Sequence, residues 1–537
     1  MRPSIFTVAA ATAAAMLAGC AAAPLPTPSA PDSGEVSTPL SDDAPAGFEA
    51  YYEQSIAWET CSAGDITPPL SPKPKDIKNY QCGTFTAPMN WDDPASEPIE
   101  MGIARYVGAP ELRDEDGKLR PPLFYNLGGP GGGAVDSLSA VVTGILTPQI
   151  AKSFTVVALD PRGVGTSTPI WCMTDAERDE DNALDTDLSG LSSQEVVDWY
   201  DEEMSSIGGQ CLERNGEILG FVDSDSAARD FDLARALLGV ETIDYLGFSY
   251  GTLLGATYAD LFPTRVGRFV LDGVLDPNLN INEVSAMQTA GMEASLYHWM
   301  EACVAGGECP LGDSVDAAKQ RLTEFFDEVA EDPLPTADPE RPLTLGLART
   351  AIIGSLYSTA SYPLLDQAMG QALGSDDGSA LLFLADYFND RGLDGVYTAN
   401  SADAFLAINA LDYEPVGTLE EWEAAADQIA KENPILGGDF GFASAGLGAW
   451  PVPSRATRRP LTAAGAPDIL LIGTTNDPAT PYQMALNLHD EMPNSVLLTV
   501  EGWDHTAYNS QAGACVVGAV DRFLLNGELP PEGSVCR

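Results

Sequence analysis

The residues of this chain that could perform covalent chemistry are a serine, a histidine and a carboxylate, and the serine has the clearest setting. Ser249 lies in Gly247-Phe-Ser-Tyr-Gly251, after an apolar run and before a predicted helix with a small-residue face. Strand, tight turn and helix is the setting in which Gly-x-Ser-x-Gly exposes a nucleophilic serine. The glycines are needed because a Cβ would clash in so tight a turn. Short patterns also occur by chance, so an ordinary strand–helix loop is the alternative.

A serine hydroxyl needs an adjacent base, and the chain has only three histidines. In the sheet architecture that carries this serine pattern, the acid follows the serine, and the histidine follows the acid in a loop after a late strand. His505 meets this condition because it comes just after the predicted strand 495–500. His298 and His489 lie within predicted helices, where a packed or solvated side chain is the commoner role.

The acid that orients the histidine is predicted to be Asp477. It follows the predicted strand 468–473, at the carboxyl end of that strand, where parallel sheets place their catalytic loops. Asp272 and nearby Asp276 are alternatives, because some hydrolases of this architecture take the acid from the preceding core strand. Asp504 is a weaker alternative, since the side chains of adjacent residues usually diverge.

The developing oxyanion of an acyl-transfer reaction needs preorganised N–H donors. One predicted donor is the backbone N–H of Tyr250, next after the nucleophile. The second is predicted to be Gly129, in the glycine-rich run that follows the predicted strand 123–126. A phosphate-binding loop is the alternative, but the run lacks the Gly-Lys-Ser/Thr ending, and Pro130 removes an N–H that such a loop would use.

These residues require a sheet that brings distant loops to one edge. Continuous apolar strands alternate with helices from residue 123 to 272 and again from 468 to 500, which is typical of a doubly wound, mostly parallel sheet. Helical patterns dominate between these halves. We therefore predict an α/β class and an α/β-hydrolase fold with an inserted helical cap. The helical patterns expected in the cap are 284–303, 314–330, 345–373 and 379–388.

The N-terminus is predicted to be an export signal. Residues 1–19 combine Arg2 with a short apolar run, and Leu17-Ala-Gly-Cys20 resembles a bacterial lipobox, which implies cleavage before Cys20 and lipid attachment to its thiol. An ordinary signal peptide is the alternative. The predicted organisation continues as a flexible tether (20–46), a first core part (47–279), the cap (280–454) and a second core part (455–537).

Composition excludes some partners and predicts the compartment. The chain has 79 acidic and 27 basic residues, so nucleic acid is an improbable partner, because its phosphates would be repelled. Apart from Cys20, the cysteines form neighbouring couples, and disulfides are expected in an exported chain. We predict no cofactor and no metal site. The predicted disulfides are Cys61–Cys82, Cys172–Cys211, Cys303–Cys309 and Cys515–Cys536.

Four motifs together resemble a known family. They are Asn126-Leu-Gly-Gly-Pro-Gly-Gly, Asp160-Pro-Arg-Gly-Val-Gly-Thr-Ser, the segment that begins at Gly247, and Phe262-Pro-Thr-Arg-Val-Gly-Arg-Phe-Val-Leu-Asp. They resemble the secreted actinobacterial hydrolases of the tripeptidyl-aminopeptidase type, which are relatives of proline iminopeptidase. The segment from about residue 451 is similar to their C-terminal domain, with Asp477 and His505 at the positions of its acid and base.

The resemblance implies a substrate class. It implies an exopeptidase that releases short peptides or residues from free N-termini, and the export signal at the N-terminus predicts a location outside the cytoplasm, either lipid-anchored on the cell membrane or secreted. The substrate amine then needs a carboxylate, for which Asp412 in the cap is a candidate and a solvated carboxylate is the alternative. An esterase acting on small acyl or lipid esters is the second hypothesis, since the same triad serves both reactions. A third, a binding lipoprotein with a vestigial site, is disfavoured by the intact triad.

Overall fold

A single mixed sheet of ten strands forms the centre of the part of the chain that the structure describes. The structure is a computed structural model that describes residues 39–537 apart from 69–70, 109–119, 185–187, 189 and 456–458, and apart from the side chain of residue 439. The predicted signal, Cys20 and most of the predicted tether lie outside the described residues. The strands are β1 (Glu59–Thr60), β2 (Tyr80–Pro88), β3 (Pro98–Val107), β4 (Leu123–Asn126), β5 (Thr155–Leu159), β6 (Ile243–Phe248), β7 (Val266–Asp272), β8 (Ile469–Thr474), β9 (Ser495–Val500) and β10 (Val535–Cys536).

The sheet order is β1-β2-β3-β5-β4-β6-β7-β8-β9-β10. The first three strands pair antiparallel, β3 pairs antiparallel with β5, and every later pairing is parallel. Each residue of β4, β6 and β8 is buried, because apolar side chains and helices cover both faces of the sheet. The carboxyl ends of the central parallel strands therefore lie along one edge, as the α/β-hydrolase prediction requires, and that fold prediction is confirmed.

Helices flank the sheet on both faces and fill the segment between β7 and β8. The longest of them begin at side-chain N-caps, as α5 does at Ser192 and α8 at Asn280. The helices are α1 (Glu49–Tyr52), α2 (Leu138–Ala140), α3 (Pro148–Ser153), α4 (Asp175–Asn182), α5 (Ser193–Asn215), α6 (Ser224–Leu237), α7 (Tyr250–Leu261), α8 (Ile281–Gly306), α9 (Val315–Glu331), α10 (Leu345–Ser355), α11 (Tyr362–Ser375), α12 (Ser379–Phe388), α13 (Ser401–Asp412), α14 (Leu419–Glu432), α15 (Tyr482–Glu491) and α16 (Ala514–Asn526).

The stretch predicted as the cap holds α8 to α14, most of which pack around their own apolar cluster, with Trp299 and Phe325 among its largest buried side chains. The sequence pattern missed α13 and α14. It also predicted one helical stretch over 345–373, which the structure divides into α10 and α11. The division has a local cause, because Pro363 lies in the first turn of α11, where its missing N–H costs nothing, and cannot continue a helix from α10.

Four disulfides join neighbouring parts of the described chain: Cys61–Cys82, Cys172–Cys211, Cys303–Cys309 and Cys515–Cys536. They are the four pairs expected from the sequence. The end of the predicted tether already contacts the core, because the Leu40 N–H donates to the Ala236 carbonyl at 3.0 Å and the Asp43 carboxylate pairs with Arg235 at 2.6 Å. Among the described residues, no helix combines the length and the apolar character needed to cross a bilayer.

Candidate active site

Ser249 lies in a strained turn between β6 and α7. Its backbone has φ 54° and ψ −126°, a conformation that non-glycine residues rarely adopt and that cannot continue the strand. The turn is tight on both sides. A Cβ on Gly247 would lie 2.4 Å from the Gly251 carbonyl oxygen, and a Cβ on Gly251 would lie 2.5 Å from the Asn126 carbonyl oxygen. Only glycine fits at either position, so this local geometry explains the Gly-x-Ser-x-Gly pattern.

His505 and Asp477 are hydrogen-bonded to each other. The His505 Nδ1 atom lies 2.8 Å from Asp477 Oδ1, and the Asp477 side chain is fully buried. The carboxylate also accepts the N–H groups of Ala479 at 2.9 Å, Thr480 at 2.8 Å and Thr506 at 3.1 Å. These bonds fix Asp477 in position, and with the Nδ1 proton facing a carboxylate, the neutral imidazole presents Nε2 as its basic atom.

The serine and the histidine adjoin the same strand end. The Ser249 N–H donates to the Asp272 carbonyl, the last residue of β7, at 3.0 Å. A Cβ on the following Gly273, which has φ +69°, would lie 3.3 Å from His505 Cε1. The end of β7 is thus bonded to the nucleophile turn and lies next to the imidazole. The arrangement can therefore perform serine-based acyl transfer, with the imidazole as the proton acceptor.

The other three carboxylates considered from the sequence bind elsewhere. Asp272 accepts the N–H groups of Ala507, at 2.9 Å, and Tyr508, at 2.7 Å, so it holds the backbone that follows the histidine. Burial, with a contribution from the nearby Asp477, raises the pKa of Asp272 to about 6. Asp276 accepts from Asn278 and Asn487, and Asp504 accepts from cap residues. Within the described residues, Asp477 is the carboxylate hydrogen-bonded to the His505 ring.

The glycine loop that follows β4 packs directly against the nucleophile turn. Gly128 has φ +97°, and a Cβ on it would lie 2.9 Å from Ser249 Cβ and 3.1 Å from the Tyr250 nitrogen. Tyr250 begins α7, so its N–H belongs to a helix N-terminus, where the amides have no partner within the helix. Gly129 is the next residue of the loop and has φ +110°. The sequence predicted Gly129 as an oxyanion donor but did not reveal that Gly128 lies against Ser249. The glycine-rich run was the only signal for that close packing.

The loop after β5 supports the glycine loop. Asp160 is buried and accepts the N–H groups of Ala134 at 2.7 Å and Val135 at 2.9 Å, just after the glycine run. Arg162 is fully buried and forms a two-pronged ion pair with Asp230, with distances of 2.6 and 2.7 Å. The Asp-Pro-Arg-Gly motif thus contributes to the scaffold around the site.

The carboxylate predicted to bind a substrate amine is buried. Asp412, the last residue of α13, is 9% exposed and lies against the first residue of α6, where its oxygens accept the Ser224 N–H at 2.9 Å and the Ser224 hydroxyl at 2.5 Å. The same hydroxyl lies 2.5 Å from the Tyr250 hydroxyl. Asp412 is therefore connected to the nucleophile helix through Ser224, and its oxygens already have protein partners.

Two further carboxylates, which sequence reasoning missed, lie beside the glycine loop. A Cβ on Gly133 would lie 2.9 Å from an oxygen of Asp136, and burial together with the neighbouring Asp160 and Asp390 raises the pKa of Asp136 to about 7. Asp390 accepts the Ser401 hydroxyl at 2.6 Å. Burial and the nearby carboxylates thus favour the protonated form of Asp136 at this side of the site.

The two remaining histidines have contacts of their own. The His298 ring on α8 stacks on the Trp503 ring, with centroids 4.0 Å apart and planes 9° apart. His489 on α15 has Nδ1 2.8 Å from the Ser495 hydroxyl and Nε2 3.3 Å from Glu532. His298 is thus a packed residue next to the His505 loop, and His489 is a half-buried surface residue.

The sequence is similar to those of known proteins over nearly the whole chain. Residues 443–536 match a family described as TAP-like protein. The chain is 32% identical over 507 residues to the serine protease Hip1 of Mycobacterium tuberculosis, covering 91% of this chain and 92% of that protein. It is 33% identical over 521 residues to carboxylesterase B of the same species, covering 95% of each. It is 27% identical over 513 residues to tripeptidyl aminopeptidase of Streptomyces lividans, covering 90% and 86% respectively.

Proposed function

Because this chain belongs to the tripeptidyl-aminopeptidase-type family of α/β hydrolases and is a serine hydrolase, we propose that it releases short peptides or residues from free N-termini through an acyl-enzyme on Ser249. The observation that carries the proposal is the 2.8 Å hydrogen bond between His505 and Asp477, set beside a strained Ser249 turn. A protease and an aminopeptidase among the relatives support the peptidase assignment.

In the proposed acylation step, the Ser249 oxygen attacks the scissile carbonyl while His505 Nε2 takes the hydroxyl proton. Asp477 stabilises the imidazolium that forms, and the Tyr250 and Gly129 N–H groups stabilise the oxyanion. Collapse of the tetrahedral intermediate breaks the C–N bond, and His505 gives its proton to the leaving amine. Water then attacks the acyl-enzyme with His505 as base, which releases the acid product and restores Ser249.

The preference for a free N-terminus requires negative charge that faces the substrate amine. Asp412 is our candidate from the sequence, and binding there requires an amine to replace Ser224 as the partner of its oxygens. A cationic amine beside Asp136 and Asp390 would favour the ionised form of both carboxyl groups, which makes them a second candidate for binding the substrate amine. If Asp412 binds the amine, Asp412→Asn raises KM for a free-amine peptide and leaves KM for its N-acetylated form unchanged. Equal effects on both peptides contradict that role.

Hydrolysis of small esters is the second candidate function. It is favoured by the 33% identity to a protein named carboxylesterase B, which spans 95% of this chain. The acylation chemistry is the same, because an ester and an amide both pass through an oxyanion next to the serine. The choice between the two therefore depends on the groups that the cap presents to the substrate.

A matched panel of fluorogenic substrates tests the two functions. It contains a tripeptide with a free amine, the same tripeptide with an N-acetyl group, and short-chain and medium-chain acyl esters of the same fluorophore. The exopeptidase proposal expects kcat/KM to be highest for the free-amine tripeptide. Cleavage confined to the esters contradicts it and supports the esterase, and equal cleavage of the free and acetylated peptides contradicts the requirement for an amine.

We also propose that the protein acts on the outer face of the cell membrane, held by a lipid on Cys20. The support is the lipobox-like sequence before Cys20, together with four disulfides, which are typical of exported proteins. Cys20→Ala is expected to move the protein from the membrane fraction into the medium and to abolish its labelling by an alkyne fatty acid. A soluble wild-type protein without the label contradicts lipid anchoring and leaves secretion as the alternative.

A further inference from the structure

The loop that carries His505 is long and has no regular structure of its own. It runs from the end of β9 at Val500 to the start of α16 at Ala514, and neither helix nor strand occurs between them. The hydrogen bond to Asp477 fixes one atom of the imidazole, but the position of the ring also depends on where the backbone of residue 505 lies. Contacts along the loop must therefore fix that backbone.

The core holds the half of the loop that follows the histidine. The Thr506 N–H donates to Asp477, and the Ala507 and Tyr508 N–H groups donate to Asp272. These contacts come from the ends of β7 and β8, so they belong to the sheet. Before the histidine, the core also holds Gly502, whose N–H donates to the Thr475 hydroxyl at 3.2 Å and whose carbonyl accepts the Asn476 N–H at 3.1 Å.

The cap holds the two residues that directly precede the histidine, Trp503 and Asp504, and the histidine backbone itself. The Trp503 ring stacks on His298 of α8, with centroids 4.0 Å apart. The Oδ1 atom of Asp504 accepts the Thr359 N–H at 2.6 Å, the Thr359 hydroxyl at 3.0 Å and the Ser358 hydroxyl at 3.2 Å. The His505 N–H donates to the Tyr357 carbonyl at 2.8 Å, and the Tyr357 ring meets the imidazole edge-on with centroids 5.3 Å apart.

We propose that Asp504 is a positioning residue, which joins the His505 loop to cap residues 357–359 so that the imidazole is correctly placed only when the cap is docked. The segment 357–359 lies between α10 and α11, and Thr359 begins a short 3-10 helix (Thr359–Ser361), so the Thr359 N–H has no partner within a helix and can donate to a carboxylate. The cap is then part of the support of the general base, in addition to any contact it makes with the substrate. This inference rests on the proposed role of His505.

Asp504→Ala removes all three acceptor contacts and tests the proposal. We expect kcat to fall by roughly 10- to 100-fold, which is the scale on which small displacements of a catalytic group act. We expect KM to stay within about twofold, since no binding contact to the substrate is removed. Asp504→Asn keeps an oxygen at the Oδ1 position and is expected to recover most of kcat. Measurements use the full chain and whichever panel substrate the wild type cleaves.

Asp377→Ala is the matched control, because Asp377 Oδ1 also accepts a backbone N–H and a hydroxyl, both from Ser379, at 3.0 and 2.6 Å. It lies at the start of α12, in the cap, and none of its contacts involves the His505 loop. An equal fall in kcat for Asp377→Ala and Asp504→Ala contradicts the proposal. So does an unchanged kcat for Asp504→Ala, or a fall that Asp504→Asn fails to reverse.

Thr359→Val weakens the same contact from the cap side. It provides the test if Asp504→Ala does not fold. It removes one hydroxyl, and its control is Thr350→Val, which removes the bond from the Thr350 hydroxyl to the Gly346 carbonyl in α10. We expect a fall in kcat for Thr359→Val and none for Thr350→Val, and identical kcat values contradict the proposal. Turnover that survives Ser249→Ala contradicts the proposed function as well. If Ser249→Ala abolishes turnover but the Asp504 and Thr359 variants leave it intact, only the positioning role is contradicted.

Discussion

At the scale of single residues, the site depends on the hydrogen bond between His505 and the fully buried carboxylate of Asp477. Asp477 has three backbone N–H partners besides the His505 ring, so it can remain fixed while the imidazole gains and loses a proton. Asp272 lies close by, but it binds backbone amides rather than the ring. The two carboxylates therefore have different roles, and substituting each one separately can distinguish those roles.

Replacing the nucleophile tests the mechanism most directly. Ser249→Ala is expected to lower kcat by roughly 10⁴- to 10⁶-fold, as removal of a triad nucleophile does. The substitution removes only the hydroxyl oxygen, so the unfolding midpoint is expected to change little. Steady-state turnover and thermal unfolding of the purified variant provide both values, and near-wild-type turnover rules the mechanism out.

Replacing each carboxylate by its amide separates orientation of the ring from support of the loop. Asp477→Asn is expected to lower kcat by about 10⁴-fold, because an amide favours the wrong imidazole tautomer. Asp272→Asn leaves that tautomer unchanged but turns an N–H donor towards the Ala507 and Tyr508 amides, so we expect a loss of stability and a smaller fall in kcat. Parallel kcat and urea-unfolding measurements distinguish them. A larger fall in kcat for Asp272→Asn would assign the orienting role to Asp272.

At the scale of elements, the site exists because the loops after β4, β6, β7, β8 and β9 leave the sheet at one edge. Register pairs Asn126 of β4 with Gly247 of β6, and Phe248 of β6 with Asp272 of β7, so the glycine loop and the β7 end flank the serine. The separation between neighbouring strands is fixed by the backbone ladder. A side chain that forces two of these segments apart therefore disturbs the nucleophile and the oxyanion donors together.

Gly251→Ala tests this dependence on close packing. Its Cβ would lie 2.5 Å from the Asn126 carbonyl oxygen, so α7 must move away from β4. We expect a loss of about 1–3 kcal/mol in stability, the usual cost of overpacking, together with a fall in kcat. Gly209→Ala is the control, because that helical position has open space around it, and the change is expected to add ~0.5–1 kcal/mol. Equal stability of the two variants contradicts the interpretation of the turn.

At the scale of the whole molecule, acidity is the dominant property. The formal net charge is −52, and several carboxylates are buried with raised pKa values, among them Asp244, at about 7. Asp244 lies in β6, and burial raises its pKa although it accepts the Arg268 N–H at 2.6 Å. At pH values between the unfolded and the folded pKa of such a carboxyl group, the group is protonated in the folded chain and ionised in the unfolded chain.

The pH dependence of stability therefore has a predictable sign at Asp244. An unfolded aspartate titrates near 4, so between about pH 4 and 7 the folded chain binds more protons, and its stability falls as pH rises. Asp244→Asn removes this contribution. We expect the variant to gain stability over the wild type, by up to ~1.4 kcal/mol for each pH unit within that window. Urea unfolding from pH 4 to 7 measures the difference, and parallel curves contradict the prediction.

The nucleophile turn, the candidate base and the fold class can be predicted from the sequence, because each has a local or compositional signal. A strand, a turn and a helix around Ser249 are adjacent in the chain, and three histidines left few choices of base. Buried parallel strands are recognisable as continuous apolar runs, and the predicted strands 266–272 and 495–500 match β7 and β9 in full.

Which carboxylate lies against the imidazole, and which contacts hold the histidine loop, can be seen only in the folded chain. Asp477, Asp272, Asp276 and Asp504 all have suitable places in the sequence, and only side-chain direction separates them. The contact between Asp504 and Thr359 joins residues 145 positions apart, at a helix break that the periodicity of 345–373 concealed. Such contacts leave no local pattern, because they depend on how two separately folded parts of the chain meet.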